Sequence, residues 1–564
     1  MKMTETSVLK FKKDESADKL RGGYYTPEIL SDFLVRWVLA KKPGKLLEPS
    51  CGDGSFLRSL VRHVDYSADV TGVEIHAVEA EKSRRSAAGN PKLKAVIENA
   101  DFLDYALKKI ENSDCFDAVL GNPPYIRYQY LSAVDQLLSE RIFAWNGLPF
   151  TKHTNAWVPF VIASLDLLSP GGRLGMVIPS ELMHVLHAAS LRSHLLRHCS
   201  RVLMIDPTEL LFDEALQGTV LLMLEKKISH DTERGSVAVT AVPDVSFAKL
   251  DPTELFENAN YVSGNEVNGK WLTVLLEKEE LKVLEKARGL PTVRKFSDVA
   301  KVDVGIVTGA NKFFLVNDET VKRYDLSDYV HPMFGRSEHC PGIVYDEATH
   351  KSNVIRGLPA HFVYFGGVTD ESLTEGAREY IALGEDQDLH TRYKCRIRKP
   401  WYVVPSVYKS PIGMLKRSHH FPRLILNSAG AYTTDTAYRI RSLSAEISDE
   451  GLVYSFINTL TALSAELEGR HYGGGVLELV PSEIEKLLVP LQDASASDLE
   501  DLDVRLREIK DPAEILKVQD EIVLAGAGLS ISEIEILQRA LIRIRSRRHR
   551  LQEAADVKEE KVDD

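Results

Sequence analysis

Asn122-Pro123-Pro124-Tyr125 directly follows the apolar run C-F-D-A-V-L-G at 115–121. Prolines end a strand and stiffen the turn beyond it. The Asn122 amide can both donate and accept hydrogen bonds, and Tyr125 offers a flat face for stacking. An amide on a rigid lip beside an aromatic ring suits the gripping of a planar group that carries an amine.

Three more chemistry-bearing groups sit at the ends of apolar runs. Glu48-Pro49-Ser50-Cys51-Gly52-Asp53-Gly54 has two glycines that let backbone approach a ligand. It is not G-x-G-x-x-G and no Lys follows to hold phosphates, so a nucleoside with a compact zwitterionic tail fits better than a dinucleotide or triphosphate. Glu74 can accept the two hydroxyls of a ribose, or be a surface charge. Asp101 can accept from an exocyclic amine and Phe102 can pack on a purine, or the pair can be a helix N-cap and a core residue. Each sign is weak alone. Their order along the chain describes one ligand with a polar tail, a ribose and an adenine, which matches S-adenosylmethionine.

The elements that position these residues alternate. Apolar runs begin at Lys45, Val70, Leu93, Phe116, Arg173, Arg201 and Thr219, with helix-spaced stretches such as 77–87 between most of them. The pattern predicts an α/β fold, a doubly wound, mostly parallel seven-stranded sheet with a final antiparallel strand. Ligands of such sheets lie beyond the carboxyl ends of the strands, where all four groups fall. From Phe296 the chain is rich in strands and turns, with 302–318 read as two strands about a turn at Gly309-Ala310-Asn311. After about Pro490 it is helical and charged. It ends in an amphipathic helix over 531–551, expected to pack on its own domain, and an acidic tail expected to be disordered.

The 564 residues are 44% hydrophobic and 27% charged, an ordinary soluble composition. No run is long and apolar enough to span a bilayer and the first residues lack a secretion signal, so a cytoplasmic protein is expected. The five cysteines contain no C-x-x-C, which argues for a reducing compartment and against a zinc site; no metal is expected. The formal net charge of −12 disfavours nucleic acid as a partner of the whole surface. Yet residues 390–423 hold nine Lys or Arg and no Asp or Glu, with Trp401, Tyr402 and Tyr408 interleaved. Charge and aromatics together mark a candidate nucleic-acid contact. Its residues would be Arg392, Lys394, Arg396, Arg398, Lys399, Trp401, Lys409, Lys416 and Arg417; a solvated loop is the plain alternative.

Taken together, G-G-Y-Y-T-P-E-I-L-S-D-F-L-V (22–35), E-P-S-C-G-D-G, V-E-I (73–75), N-A-D-F-L (99–103), N-P-P-Y, P-G-G-R-L-G-M-V-I-P-S (170–180) and 210–226 resemble, in order, the motifs of gamma-class N6-adenine DNA methyltransferases of restriction–modification type, the Eco57I/TaqI-like methylases. The resemblance continues into 302–490 as their recognition domain. It implies a Rossmann-like methyltransferase sheet over 21–245 after a tail at 1–20. A mixed α+β DNA target-recognition domain over 246–490, a helical segment over 491–552 and a tail at 553–564 would complete the chain.

For the site, the resemblance implies that Tyr25, Thr26, Pro27, Glu48, Pro49, Gly52, Gly54, Glu74, Ile75, Asp101, Phe102 and Asn122 hold S-adenosylmethionine. Asn122, Pro123, Pro124 and Tyr125 form the catalytic motif, and Tyr125 and Phe212 stack on a flipped adenine. Cys51 would be a packing residue. The expected partner is double-stranded DNA, with a separately encoded endonuclease as counterpart and a monomer or weak dimer as the working form. N-P-P-Y also serves methyltransferases of RNA and of protein glutamine, and a non-catalytic DNA-binding subunit is a further alternative. The intact motif and the long second half favour the DNA enzyme.

Overall fold

The computed structural model describes residues 26–207, 218–229, 232–267, 269–443, 447–472, 475–509 and 511–560. Packing divides the chain into two compact units. The first comprises Met1–Leu275 with Arg550–Asp564 and the second Leu276–His549. Residues 246–275, expected in the second domain, therefore belong to the first.

The first unit opens with α1 (Glu28–Leu39), whose Leu30, Phe33, Leu34, Trp37 and Val38 are buried at the spacing of one helix face. Then β1 (Lys45–Glu48), α2 (Ser55–His63), β2 (Ala68–Val73), α3 (Ala77–Ser86), β3 (Leu93–Glu98), α4 (Phe102–Glu111) and β4 (Phe116–Gly121) alternate. α5 (Ala133–Trp145), α6 (Trp157–Asp166), β5 (Leu168–Pro179), α7 (Ala189–His198), β6 (Cys199–Pro207), β7 (Thr219–Lys226), β8 (Ser236–Val242) and β9 (Val262–Ser263) complete it. Among the described residues they form one nine-stranded sheet, ordered β3-β2-β1-β4-β5-β7-β6-β8-β9.

β3, β2, β1, β4 and β5 run parallel, and β7 lies antiparallel between β5 and β6. The expected seven strands are all present, and the count of seven is corrected by β8, parallel to β6, and the short β9. β7 is buried along nearly its whole length, as a central strand covered on both faces must be. Phe33, Trp37, Phe56, Phe247 and Phe256 anchor the core on the α1 side. Inside it, Arg173 on β5 bonds Glu225 on β7 at 3.0 Å and donates to the Trp37 carbonyl at 2.6 Å, fastening α1 to the sheet.

The second unit is mixed α+β. A four-stranded antiparallel sheet orders Ala300–Val304, Ala437–Ser442, Ile412–Leu415 and Leu424–Leu426. The two strands read about Gly309 lie in different sheets, because Asn311–Phe314 forms a helical turn before Leu315–Val316 pairs with His361–Val363. The helices Ala496–Glu508 and Pro512–Gly526 and the first part of Ile531–Glu560 are integral to this unit, not an appended segment. Asp520 accepts from the Thr459 amide at 2.7 Å and its hydroxyl at 2.6 Å, and the fully buried Arg548 grips Glu466. Packing of the last helix on its own unit is as expected. The helix runs to Glu560, and residues 561–564 of the expected tail lie outside the described residues.

Candidate active site

The right-handed alternation of strand and helix brings the carboxyl ends of β1, β2, β3 and β4 to one edge. A cavity of about 420 Å³ opens there, wholly within the first unit. Thr26, Glu48, Pro49, Gly52, Glu74, Ile75, Asp101, Phe102, Asn122 and Pro124 line it, so the residues picked from five separate stretches of sequence converge. Pro27 starts α1 beside Thr26. Tyr25 and Phe212 lie outside the described residues.

The two glycines do different work. Gly54 adopts φ +87° as the residue before α2, and a Cβ there would fall 2.6 Å from the Ser86 Cβ. Gly52 adopts φ +50° with open space where its Cβ would stand, which leaves its backbone bare toward the cavity. The Gly52 amide donates to Glu74 Oε2 at 2.9 Å, and His76 N donates to Glu74 Oε1 at 2.9 Å. Glu74 is thus a fixed carboxylate at the end of β2, with lone pairs left for hydroxyl donors. Asn99 supports the same corner by donating to the carbonyls of Glu74 and Ile75 at 2.8 and 3.0 Å. Cys51 is 3% exposed and its thiol is pushed up by burial, which fits packing.

Electrostatics mark the tail end of the cavity. Glu48 is buried, and its Oε2 has no hydrogen-bond partner among the described residues. Burial first, then the charges of Asp53 and Glu74, raise its carboxyl well above the ordinary range. A buried acid ringed by acids favours a cation beside it. At the other end, Asp101 caps α4 by accepting from Asp104 N at 3.0 Å, so the N-cap reading holds, yet its carboxyl also lines the cavity. Phe102 is buried and meets Phe160 with ring centroids 5.0 Å apart. Phe160, Ile126 and Asp135 of the lining escaped the sequence reading. Phe160 lies inside a mainly apolar helix, where nothing in the sequence separates a lining ring from a core ring.

The residues fit a nucleoside with a cationic tail, since acids and bare backbone meet at one end and aromatic walls with an acceptor at the other. Asn122 joins that cavity to the N-P-P-Y lip. Its Nδ2 donates to Thr26 Oγ1 at 3.2 Å, and its backbone carbonyl accepts from Ser50 Oγ at 2.9 Å. Pro49 packs on Gly121, closing β1 against β4. Tyr125 turns toward β5 and donates its hydroxyl to the Val177 carbonyl at 3.0 Å, which fixes the plane of its ring.

The basic stretch of the second unit is less uniform than its sequence. Trp401 is buried against Phe313 and donates to Glu385, so it is a core residue and not a stacking platform. Arg398 donates to the Val307 and Thr308 carbonyls at 2.7 Å each. Lys416 and Arg417 pair with Glu478 at 3.3 and 2.7 Å. Those four are engaged within the fold because a chain crossing its own sheet must satisfy its carbonyls and acids. Arg392, Lys394, Arg396, Lys399 and Lys409 are exposed, as are the rings of Tyr393 and Tyr408. No helix among the described residues is long and apolar enough to cross a membrane.

Comparison with known proteins gives the same division. Residues 6–258 match the N-6 DNA Methylase family, and residues 268–524 match the C-terminal domain of the Type II methyltransferase M.Eco57I. The Type II methyltransferase M.AccI of Acinetobacter calcoaceticus is 22% identical over 84% of this chain and 87% of its own. M.XamI of Xanthomonas campestris pv. amaranthicola is 23% identical over 83% and 85%. The structure of the Type IIL restriction-modification enzyme MmeI in complex with DNA superposes with a TM-score of 0.54 at 12% identity, covering 92% of this chain and 75% of that one, a likeness of fold. With both halves matched in order and the relatives aligned over most of their length, the chain belongs to the N6-adenine DNA methylases of restriction–modification type.

Proposed function

We propose that the protein transfers a methyl group from S-adenosylmethionine to N6 of an adenine flipped out of double-stranded DNA, and so guards its target sites against a separately encoded endonuclease. The observation that carries the reading is the convergence of Glu48, Glu74, Asp101 and Asn122 from four adjacent strand ends on one cavity. When bound, S-adenosylmethionine supplies an activated methyl group. Glu48, beside the bare Gly52 backbone, receives its cationic tail, Glu74 its ribose, and Asp101 with Phe102 its adenine.

The amine of the target adenine is a weak nucleophile because its lone pair is spread into the ring. Asn122 Oδ1 and the Pro123 carbonyl each accept one N6–H, which favours a pyramidal nitrogen whose lone pair leaves the ring plane. Thr26 holds the amide through its NH2, which leaves the oxygen as the acceptor for the base. The prolines keep both acceptors in place before the base arrives, so stabilisation is preorganised. Tyr125, its ring fixed through Val177, forms one wall of the base site. The methyl is taken as its bond to sulfur breaks, leaving S-adenosylhomocysteine, and the proton shed by the methylated nitrogen passes to solvent and not to a side chain.

Tritium transfer from labelled S-adenosylmethionine to genomic DNA, followed by nucleoside analysis, tests the reading. Label is expected in N6-methyladenine and is expected to vanish in Asn122→Ala. Label in RNA or in a protein glutamine would overturn the substrate. No transfer with cofactor binding intact would leave a non-catalytic DNA-binding subunit.

A further inference from the structure

The cavity of the first unit is unbalanced in charge. Glu48, Asp53, Glu74, Asp101 and Asp135 line it, and among the described residues no Lys or Arg does. The tail of S-adenosylmethionine carries a carboxylate as well as an ammonium group. Acids attract the ammonium and repel the carboxylate. A cation stands behind the glycine loop. Arg58, one turn into α2, donates from Nη2 to Asp53 Oδ2 at 3.0 Å and from Nη1 to the Asp53 carbonyl at 2.8 Å. Nη1 also reaches Ser86 Oγ at 3.2 Å, and Nε lies 3.4 Å from Glu28 Oε1. Ser86 Oγ donates to the same Asp53 carbonyl at 2.9 Å. The Arg58 and Asp53 side chains are both partly buried.

These contacts gather the elements around the tail end of the cavity. Asp53 belongs to the glycine loop, and Glu28 opens α1 two residues after Thr26. Ser86 ends α3, the helix whose Ser83 hydroxyl donates to the Gly52 carbonyl at 2.8 Å. A guanidinium can hold acceptors from several elements at once in one planar fork. Bonded to it, Asp53 presents a compensated carboxylate to the cavity and not a bare charge. Arg58 also offsets, at Glu48, the charges of Asp53 and Glu74. We propose that Arg58 is a positioning residue that sets cofactor specificity: by holding Asp53 it lets an acid-lined cavity accept a zwitterionic tail and not only a bare cation. The inference rests on S-adenosylmethionine as the cofactor.

The test is calorimetry of the full chain with S-adenosylhomocysteine and with its decarboxylated form, which keeps the amine and lacks the carboxylate. The ratio of the two affinities in the wild-type chain is the reference. Arg58→Gln should weaken S-adenosylhomocysteine about tenfold and leave the decarboxylated ligand nearly unchanged. The ratio is read on one sample, so partial unfolding of the variant does not imitate the effect. Asp53→Asn/Arg58→Gln should recover the wild-type ratio, because the repelling charge is gone with its partner. Asp53→Asn alone keeps Arg58 and should shift the ratio further toward S-adenosylhomocysteine, a check that does not depend on Arg58→Gln folding. Equal weakening of both ligands in Arg58→Gln, or an unaltered ratio in Asp53→Asn, would overturn the role and leave Arg58 a structural clip. A wild-type chain that binds neither ligand would overturn the cofactor reading itself, an outcome distinct from an unmoved ratio with binding intact.

Discussion

At the scale of single residues, the site depends on two side chains whose neighbours set their state. The Thr26 hydroxyl orients the Asn122 amide and contributes no chemistry of its own. Losing one such hydrogen bond is worth about 1 kcal/mol. Thr26→Val should therefore lower kcat about fivefold to tenfold while leaving the affinity for S-adenosylmethionine nearly unchanged, and Thr26→Ser should restore it. A loss of cofactor affinity in place of kcat would place Thr26 in binding alone. Glu48 is the second case. Burial and the acids Asp53 and Glu74 outweigh the pull of Arg58 and hold its carboxyl well above the ordinary range, which favours its neutral form. A cationic tail reverses that balance and ionises it. Binding of S-adenosylmethionine should then release a proton and tighten as pH rises, whereas Glu48→Gln should bind without proton release. Calorimetry in buffers of differing ionisation heat measures this directly. The place of Asn122 at a strand end beside the cavity was legible from the apolar run before it, whereas Glu48 entered only through the resemblance of the motif around it. The Thr26 contact was not legible, because 96 positions separate its partners and no periodicity links them.

Elements explain which signals in the sequence could be trusted. The seven strands were readable because each is a short apolar run bounded by a helix-spaced stretch, and chain order then dictated that their ends share an edge. β8 and β9 were missed because S-V-A-V-T-A-V is half exposed and V-S is only two residues long. The stretch at 390–423 misled for a related reason. Charge is visible in sequence, but whether Arg398 faces solvent or the Val307 carbonyl is decided by distant backbone. The glycine loop gives a test at this scale. Gly52 faces open space and Gly54 faces Ser86, and both have φ values that L-residues rarely adopt. Gly52→Ala should weaken cofactor binding at least tenfold with a modest cost in stability, about 1 kcal/mol. Gly54→Ala should lower the melting temperature further, because its Cβ also meets the Ser86 Cβ at 2.6 Å and α3 must move. Equal effects of the two on melting and binding would mean that the loop acts as one structural turn.

For the whole molecule, a net charge of −12 is compatible with a DNA substrate only if basic surface is local. The exposed Arg392, Lys394, Arg396 and Lys399 supply such a patch within the second unit. That unit is closed by its last helix through one buried ion pair. Arg548 donates to both oxygens of Glu466 at 2.6–3.2 Å, both residues are about 1% exposed, and His471 lies 3.3 Å from the same carboxylate. Burial alone would raise Glu466, but the His471 hydrogen bond and the charge and bonds of Arg548 outweigh it and hold the carboxyl at about 2. A carboxyl depressed in the folded state contributes stability above its ordinary value of 4.5 and loses it as pH falls toward 2. The second unit should therefore lose stability as pH falls through that window. Arg548→Ala leaves Glu466 buried without its guanidinium partner and with only His471 beside it, a change that costs about 3–5 kcal/mol. Calorimetry should then show the transition of the second unit moving down while S-adenosylmethionine still binds the first. The double variant Glu466→Leu/Arg548→Met, which removes both charges and keeps apolar volume, should recover most of the loss, because the cost lies in the stranded charge and not in the missing attraction. If the double variant melts as low as Arg548→Ala, the bond from Arg548 to the Gly475 carbonyl holds the helix and the ion pair is incidental.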